Sequence, residues 1–489
     1  MLTPDEFVWS AIRHQWRSGA GEGQSESATK GGDEMKRLIL AVVVAVAIVL
    51  TAKYFGLLPG PVILGGASQP RGATAPAGPF ALVGGTLLDG TGGTPVRNSV
   101  VLINRERIEK VGTLASVPVP AGYDRVSTEG MTVLPGLWDP HVHLIYAGYP
   151  DLQEYLKKYG SQVDAIMPVT AEQFLLSGVT SVRDLGAPLS VLTVKRRIQQ
   201  GDMPGPTIYA AGPFLTTAAF GPHSVVVTGE AEARAATRRL LDAGVDIIKF
   251  VNADRMPPGA AKAIVQEAHA RGKKATAHGR SDAEIRVCLE ADVDELQHIG
   301  YDSSEYPPDI VEAIRRRIAS GRRLSWSPTV GTQLDAAELA NDREFLDDPR
   351  NFRGLPPVIA TDIHAALAAF SPRPLGSDTK HIVDRKIAQL RQLGVDLVFG
   401  SDEGAFGATA AQGTARELEA WVRDLGFDPM TAIRKATLDA ATHVGADRDS
   451  GSVTPGKFAD VIAVEGNPLR HVDVLANPAV VVKHGRRYR

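Results

Sequence analysis

From residue 80 onward the apolar positions recur with two different periods, and the change of period divides the chain. Between Phe80 and Val133 they fall in short runs, Ala81 to Val83, Ser99 to Ile103, Arg107 to Val111 and Thr132 to Leu134. Turn-forming stretches such as Asp89-Gly90-Thr91-Gly92-Gly93 and Asn104-Arg105-Glu106 separate them. Such runs bounded by Gly, Asn and Asp predict strands. The same texture returns in Ala459 to Val464 and Ala479 to Lys483, after the loop Gly451 to Lys457. Together the two ends predict one small β-sandwich, residues 80–134 and 450–489, with a larger domain, residues 135–449, inserted between them.

In that insert, apolar strand-like runs alternate with helical spacing, which predicts βα units and a parallel sheet. The run from Val133 to His143 is followed by Thr180 to Asp184, Thr207 to Ala211, Ile247 to Phe250, Ala275 to His278, Glu295 to His298, Leu324 to Pro328 and Leu397 to Asp402. Helical spacing separates them, as in Ala260 to Ala270 and Ile382 to Leu393. Eight βα units close a (β/α)8 TIM barrel, an α/β fold whose strand C-terminal ends carry the chemistry. The stretch Gln333 to Asp378, rich in Asp, Pro and Arg, fits extra helices or a lid over the seventh loop.

The N-terminal region has a different pattern. Lys36 and Arg37 precede an almost unbroken apolar run, Leu38 to Thr51, and Tyr54 to Leu58 is apolar again. Read from Met35, residues 35–58 match a secretory signal with a short basic start and an h-region of roughly 7 to 15 residues. Read as one hydrophobic helix, Leu38 to Leu58 spans roughly 30 Å, enough for a membrane anchor with Lys53 snorkelling. Either reading places the bulk of the chain outside the cytoplasm, periplasmic or secreted, and an uncleaved helix would tie it to a membrane. Residues 1–34 are rich in Gly, Ser and charge and are expected to be disordered, with Met35 as an alternative start to Met1. Residues 59–79, dominated by Gly, Pro and Ala, form a linker.

Composition adds exclusions. A chain of 489 residues with 44% hydrophobic content packs a core, and a formal charge of −3 without a basic block offers no footprint for nucleic acid. A small molecule is the expected partner. The one cysteine, Cys288, lies on an apolar helical face with Ile285 and Leu289, as a buried thiol rather than a nucleophile.

Candidate chemistry begins in Gly136-Leu137-Trp138-Asp139-Pro140-His141-Val142-His143. On an extended backbone, residues two apart point the same way, so His141 and His143 can aim at a single point. The other predicted strand ends carry Lys249, His278, His298 and Asp402. Each has a plain alternative, as a snorkelling lysine, a satisfied core histidine or a helix cap. Their convergence on one rim of one barrel favours a metal site. His14, His269, His364, His381, His443, His471 and His484 have no ligand context and read as surface or helix-face histidines.

These stretches, with Gly178 to Gly186, Gly244 to Lys249, Glu295 to Gly300, Gly400-Ser401-Asp402, the tail Gly451 to Val464 and Gly466-Asn467-Pro468-Leu469, resemble the amidohydrolase superfamily in its imidazolonepropionase-like and Xaa-Pro dipeptidase (prolidase)-like branch. The resemblance runs from about Phe80 to the C-terminus. It implies two divalent metal ions, zinc fitting the mixed donor set best ahead of manganese, cobalt or iron. His141, His143 and Asp402 would hold the more buried ion, His278 and His298 the more exposed one, and Lys249, carboxylated by carbon dioxide, would bridge them. Metals about 3.5 to 4 Å apart generate a bridging hydroxide near neutral pH, and Asp402 would be the general base. Implied substrates are small amides, dipeptides or N-acyl amino acids; homo-oligomers are usual in the family.

This chain departs from the family in Glu290-Ala291-Asp292-Val293, where Ala-Gly is common, and in Glu403, which would bind a substrate ammonium or face outward. His223 and Tyr301, each on a loop beyond a strand end, are candidate substrate contacts. Two further readings compete: a mononuclear enzyme with unmodified Lys249 opening a cyclic amide, an amidine or a lactone, and an inactive membrane-tethered binding barrel.

Overall fold

The computed structural model describes residues 78–334, 342–370, 378–404 and 407–489. The predicted disordered segment, the signal or anchor and nearly all of the linker fall on residues 1–77, outside the described residues, as do 335–341 and 371–377 of the predicted lid. Among the described residues no helix is long and apolar enough to cross a membrane.

The first and last parts of the stretch 78–489 build two small sheets together. β1 (Phe80–Val83), β2 (Thr86–Leu87), β3 (Ser99–Asn104), β4 (Arg107–Thr113), β5 (Asp124–Ser127) and β6 (Met131–Pro135) come from the first part. The first sheet has the order β4-β3-β1-β5. In the second, β6 runs antiparallel to a strand from the far end of the chain, Val461–Glu465, with Leu134 opposite Ile462. The alternation that predicted these strands puts Leu82, Val101, Val133, Val461 and Val482 into one shared apolar cluster.

The insert opens with β7 (Leu137–Val142), β8 (Val179–Asp184) and β9 (Thr207–Ala210), all parallel. β10 (Phe214–Thr216), β11 (Ser224–Val226), β12 (Ile248–Phe250), β13 (Ala275–His278), β14 (Glu295–Gln297), β15 (Ser325–Ser327) and β16 (Asp396–Leu397) form a second parallel array in the order β11-β10-β12-β13-β14-β15-β16. The chain after β16 returns to β7, where Asp402 N–H donates to His141 C=O at 2.8 Å and His143 N–H to Glu403 C=O at 2.8 Å. The result is a mixed α/β, TIM-barrel-like body with helices such as Ala260–Ala270 and Asp378–Gln392 outside. β17 (Val461–Glu465), β18 (Val480–Lys483) and β19 (Arg486–Arg487) complete the small second sheet.

Several expectations are corrected. The predicted strand Leu397 to Asp402 is regular only at β16; beyond it the backbone twists to a positive φ of 60° at Asp402, which a continuous strand does not allow. β2, β5, β10 and β11 were not predicted, being two to four residues long, with β5 largely exposed. The described part of the predicted lid contains short helices, the longest Pro357–Ala369. Gly136, between β6 and β7, passes so close to β8 that an added Cβ would stand 2.2 Å from Thr180 Cγ2; only glycine lets the chain step there from the small sheet into the barrel.

Candidate metal centre and substrate cavity

β7 is buried along its whole length, and it ends by presenting His141 with His143 one residue beyond. The return segment after β16 brings Asp402 to the same place. Its Oδ1 lies 3.2 Å from His141 Nε2 and 3.1 Å from His143 Nε2, and one donor atom from each residue falls within 4.8 Å of the others. His298 follows β14, with its ring 5.4 Å from that of His141 and 4.9 Å from that of His278 at the end of β13. Lys249, in β12, is 1% exposed and lines the same cavity as His143, His278 and Asp402. The predicted ligands are therefore gathered at one strand-end rim.

The donor set suits cations. Both ring nitrogens of His141, Nδ1 of His143, Nε2 of His298, Nζ of Lys249 and Oδ2 of Asp402 are buried without a hydrogen-bond partner. Each such atom costs about 1–3 kcal/mol, and their concentration at one point fits divalent ions as the shared partner. Protonation agrees with this. Burial pushes His141 down to about 4 against the pull of Asp402, and holds His278 and His298 well below the usual imidazole range. Neutral imidazole is the ligand form. Burial likewise lowers Lys249 to about 7.

The backbone is strained at this rim. Asn252, His298, Thr329 and Asp402, all just past strand ends, have φ of 57°, 67°, 50° and 60°. Such conformations cost about 1–3 kcal/mol each and persist only where the surroundings hold them, as they do at His298. The Trp326 indole N–H donates to the His298 carbonyl, Tyr306 donates to Ile299 C=O at 3.1 Å, and buried Lys386 donates to the carbonyls of Ile299 and Gly300 at 3.3 and 3.2 Å. Thr329 Oγ1 meets His298 Nδ1 at 2.7 Å, which leaves Nε2 for a ligand role.

A second layer fixes the first. Asp139 accepts from His141 N–H at 3.1 Å and from Ser401 Oγ at 2.6 Å, tying β7 to the return segment. Glu403 corrects both of its readings, since it neither faces outward nor lines the cavity. It is fully buried and accepts from the N–H groups of Gly413 and Thr414 at 3.0 Å each. Thr414 Oγ1 lies 2.8 Å from Asp139 Oδ2 and 2.9 Å from Glu403 Oε2. One hydroxyl thus stands between two buried carboxyls, an arrangement that favours a proton on one of them. Burial raises Asp139 to about 6, and burial plus the neighbouring Asp139 raises Glu403 well above the carboxylate range.

Of the two readings of His443, surface or helix face, the second holds, since it lies on the helix Ala440–Val444. Its side chain is nonetheless shielded from solvent, with Nε2 3.1 Å from Glu295 Oε2. Glu295 also takes the Arg183 guanidinium at 2.6 Å, and Arg183 Nε donates to Pro140 C=O at 2.7 Å, directly before His141. His484 is mostly shielded, its ring stacked 4.2 Å from that of Phe458. Asp292, at the departure from Ala-Gly, takes the positive φ of 66° itself and pairs with Arg317 and Arg322 at 2.8 and 2.6 Å.

Above the ligands opens a cavity of about 560 Å³. His223 lines it, its Nε2 2.8 Å from Tyr146 Oη and its Nδ1 without a partner. Tyr301 is not among the lining residues; it packs against the main core with its hydroxyl buried and unpartnered, so a substrate contact is not supported there. Tyr146, Phe214, Phe220, Phe370 and Arg280 also line the cavity. Phe214, Phe220 and Phe370 lie in the stretches Phe214 to Val227 and Gln333 to Asp378, where loops are expected to set specificity but no motif names a side chain; Tyr146 and Arg280 carry no such signal beyond the spacing of Arg280 two residues after His278.

The model of the amidohydrolase family matches residues 132–487. The ochratoxinase of Aspergillus niger is 26% identical over 456 residues, covering 81% of this chain and 83% of that protein. The crystal structure of a candidate prolidase from Bifidobacterium longum superposes with a TM-score of 0.65 at 28% identity, covering 84% of this chain and 95% of that one. That of a Xaa-Pro dipeptidase with methionine in its active site gives 0.65 at 24%, covering 84% and 100%. With most of its length matched and its strand-end residues gathered as described, the chain belongs to the amidohydrolase family, in its prolidase-like branch, and is a hydrolase of carbon–nitrogen bonds.

Proposed function

We propose that this chain is a binuclear metal-dependent amidohydrolase that cleaves the amide bond of a dipeptide or N-acyl amino acid. The observation that carries the reading is the gathering of unpartnered buried donors from separate strand ends at the floor of one cavity. His141, His143 and Asp402 would hold one ion and His278 and His298 the other, most suitably Zn²⁺, with Lys249 bridging them after carboxylation by carbon dioxide. An ammonium would repel two cations; a carbamate offers them two anionic oxygens. When bound, such ions lower the pKa of a shared water and polarise a carbonyl.

The chain's own groups do the rest. Asp402 Oδ2 takes the proton of the attacking water and returns it to the leaving nitrogen. His223, held by Tyr146, contacts the substrate from the cavity wall. The aromatic lining excludes bulk water from the reacting groups. The extracytoplasmic location proposed for the enzyme rests on Lys36-Arg37 and the apolar run after them.

One observation favours a second reading. The tightest convergence is of His141, His143 and Asp402 alone, which suits a single cation, an unmodified Lys249 and the opening of a cyclic amide, amidine or lactone. Zinc-loaded protein lacking residues 1–58, screened against Xaa-Pro, Xaa-Arg and N-acyl amino acid libraries, is expected to release amino acids. Failure on every amide together with hydrolysis of a lactone or cyclic amide would overturn the first reading in favour of the second.

A further inference from the structure

Thr329 decides which ring nitrogen His298 offers. Its hydroxyl has one proton, and Thr329 Oγ1 donates it to Pro328 C=O at 2.8 Å. In the 2.7 Å contact with His298 Nδ1 the hydroxyl is therefore the acceptor and the ring N–H the donor. That fixes the tautomer in which Nε2 carries no proton, the form that binds a metal. The His298 backbone leans on the same segment, since its N–H donates to Ser327 C=O at 2.8 Å and its carbonyl accepts from the Trp326 indole.

Thr329 sits at a φ of 50°, so the chain just beyond it has to be held. Glu417, 1% exposed on the helix Gly413–Arg423, holds it. Its carboxyl accepts from Val330 N–H at 3.1 Å, from Gly331 N–H at 2.5 Å and from the Trp421 indole N–H at 2.8 Å. All three partners are donors; a glutamine there would turn its own N–H groups towards one of them. The approach is close, because a Cβ on Gly331 would stand 2.8 Å from Glu417 Oε2 and 3.1 Å from its Cα. Three residues earlier on the same helix, and so on the same side of it, Thr414 Oγ1 lies 2.8 Å from Asp139, whose carboxyl accepts from His141 N–H. One helix thus stands behind both groups of predicted ligands.

We infer that Glu417 is a positioning residue of the metal centre: by anchoring Val330 and Gly331 it keeps the Thr329 hydroxyl against His298 Nδ1, and so keeps His298 Nε2 free to bind a cation. Glu417 is not among the residues lining the cavity; it acts through two peptide groups and one hydroxyl. Without the carboxylate two N–H groups lose their acceptor, and the segment relaxes towards ordinary backbone angles. The hydroxyl then withdraws from Nδ1, and the ring can carry its proton on Nε2 instead, where it blocks a ligand role. This deepens the metal-centre reading and rests on His298 being one of its ligands.

The test reads the tautomer by NMR in metal-free, nitrogen-15 histidine-labelled protein, and so needs no reaction. With His298 assigned by the signals missing from His298→Gln, wild type is expected to carry the proton on Nδ1 and none on Nε2. Glu417→Gln should give a mixture of tautomers, as should Thr329→Val, whereas Thr329→Ser, which keeps the hydroxyl, should match wild type. In zinc titrations Glu417→Gln should weaken the second equivalent about 10- to 100-fold and leave the first unchanged. Adding Thr329→Val to it should cost little more, because both act on one hydrogen bond. Should Glu417→Gln not fold, Gly331→Ala, which displaces the carboxylate without removing it, carries the same expectations. A wild-type His298 protonated on Nε2, a wild-type tautomer kept in the variant, equal weakening of both equivalents, or additive losses in the double variant would each overturn the role. If the tautomer depends on Glu417 and wild type nevertheless takes a single zinc, the positioning role stands and the two-metal reading fails.

Discussion

His141 is completely buried, and neither of its ring nitrogens has a hydrogen-bond partner. A core histidine is satisfied by its neighbours; this one contributes little to a metal-free fold. His141→Ala should therefore lose metal and activity while the metal-free variant still unfolds cooperatively, within about 5 °C of the metal-free parent. Elemental analysis beside a thermal scan checks this, and a variant that keeps both metals would contradict it. Asp402→Asn retains the shape but not the basicity of the carboxylate. Its kcat on a cleaved amide should fall by about 10²- to 10⁴-fold; full activity would remove Asp402 from the chemistry.

At the scale of elements, function depends on how strands are locked to one another. The pair Arg183–Glu295, with His443 behind it, joins β8, β14 and the helix Ala440–Val444 beneath the ligands. Burial alone would raise the Glu295 carboxyl, yet Arg183 and His443 hold it well below the usual range. Its stabilising contribution is thus present above the ordinary carboxylate pKa and is lost as pH falls through the depressed value. Glu295→Gln should cost about 3–5 kcal/mol at neutral pH by leaving a buried guanidinium uncompensated. Denaturant midpoints for parent and variant should draw together under strong acid; a gap that widens would reverse the sign. Gly136→Ala should cost about 1–3 kcal/mol through the clash with Thr180, and Thr180→Ala in the same chain should recover part of it.

These elements also show what a sequence can and cannot display. β7, β8, β13 and β14 were legible because each leads into a histidine or aspartate, at His143, Asp184, His278 and His298, so that strand and chemistry mark one another. β10 and β11 were not, since their three residues hold no period and no histidine, lysine or aspartate stands at their C-terminal ends. The burial of Glu403 was hidden because its partners, Gly413 and Thr414, lie about ten residues further on and offer backbone N–H groups, which every residue but proline has. The sequence placed His443 on a helix face but not its contacts, because its partners Glu295 and Arg183 are remote in sequence and only barrel closure brings them together.

Across the whole molecule, the chain must be finished before the barrel is secured. β6 leads directly into β7, yet its antiparallel partner β17 comes from the far end, and both contribute to one apolar cluster. A chain ending at residue 449 would expose that edge and the apolar face beneath it, and is expected to aggregate or lack cooperative unfolding, as read by circular dichroism and light scattering. At the opposite ends of the strands, the rim's unpartnered donors are proposed above to hold two cations. The most direct test counts the metals. Protein reconstituted with zinc and bicarbonate should reach full amidase activity only near two equivalents per chain, and reconstitution without bicarbonate should leave it short. Full activity at one equivalent, with no response to bicarbonate, would contradict the bridged two-metal site.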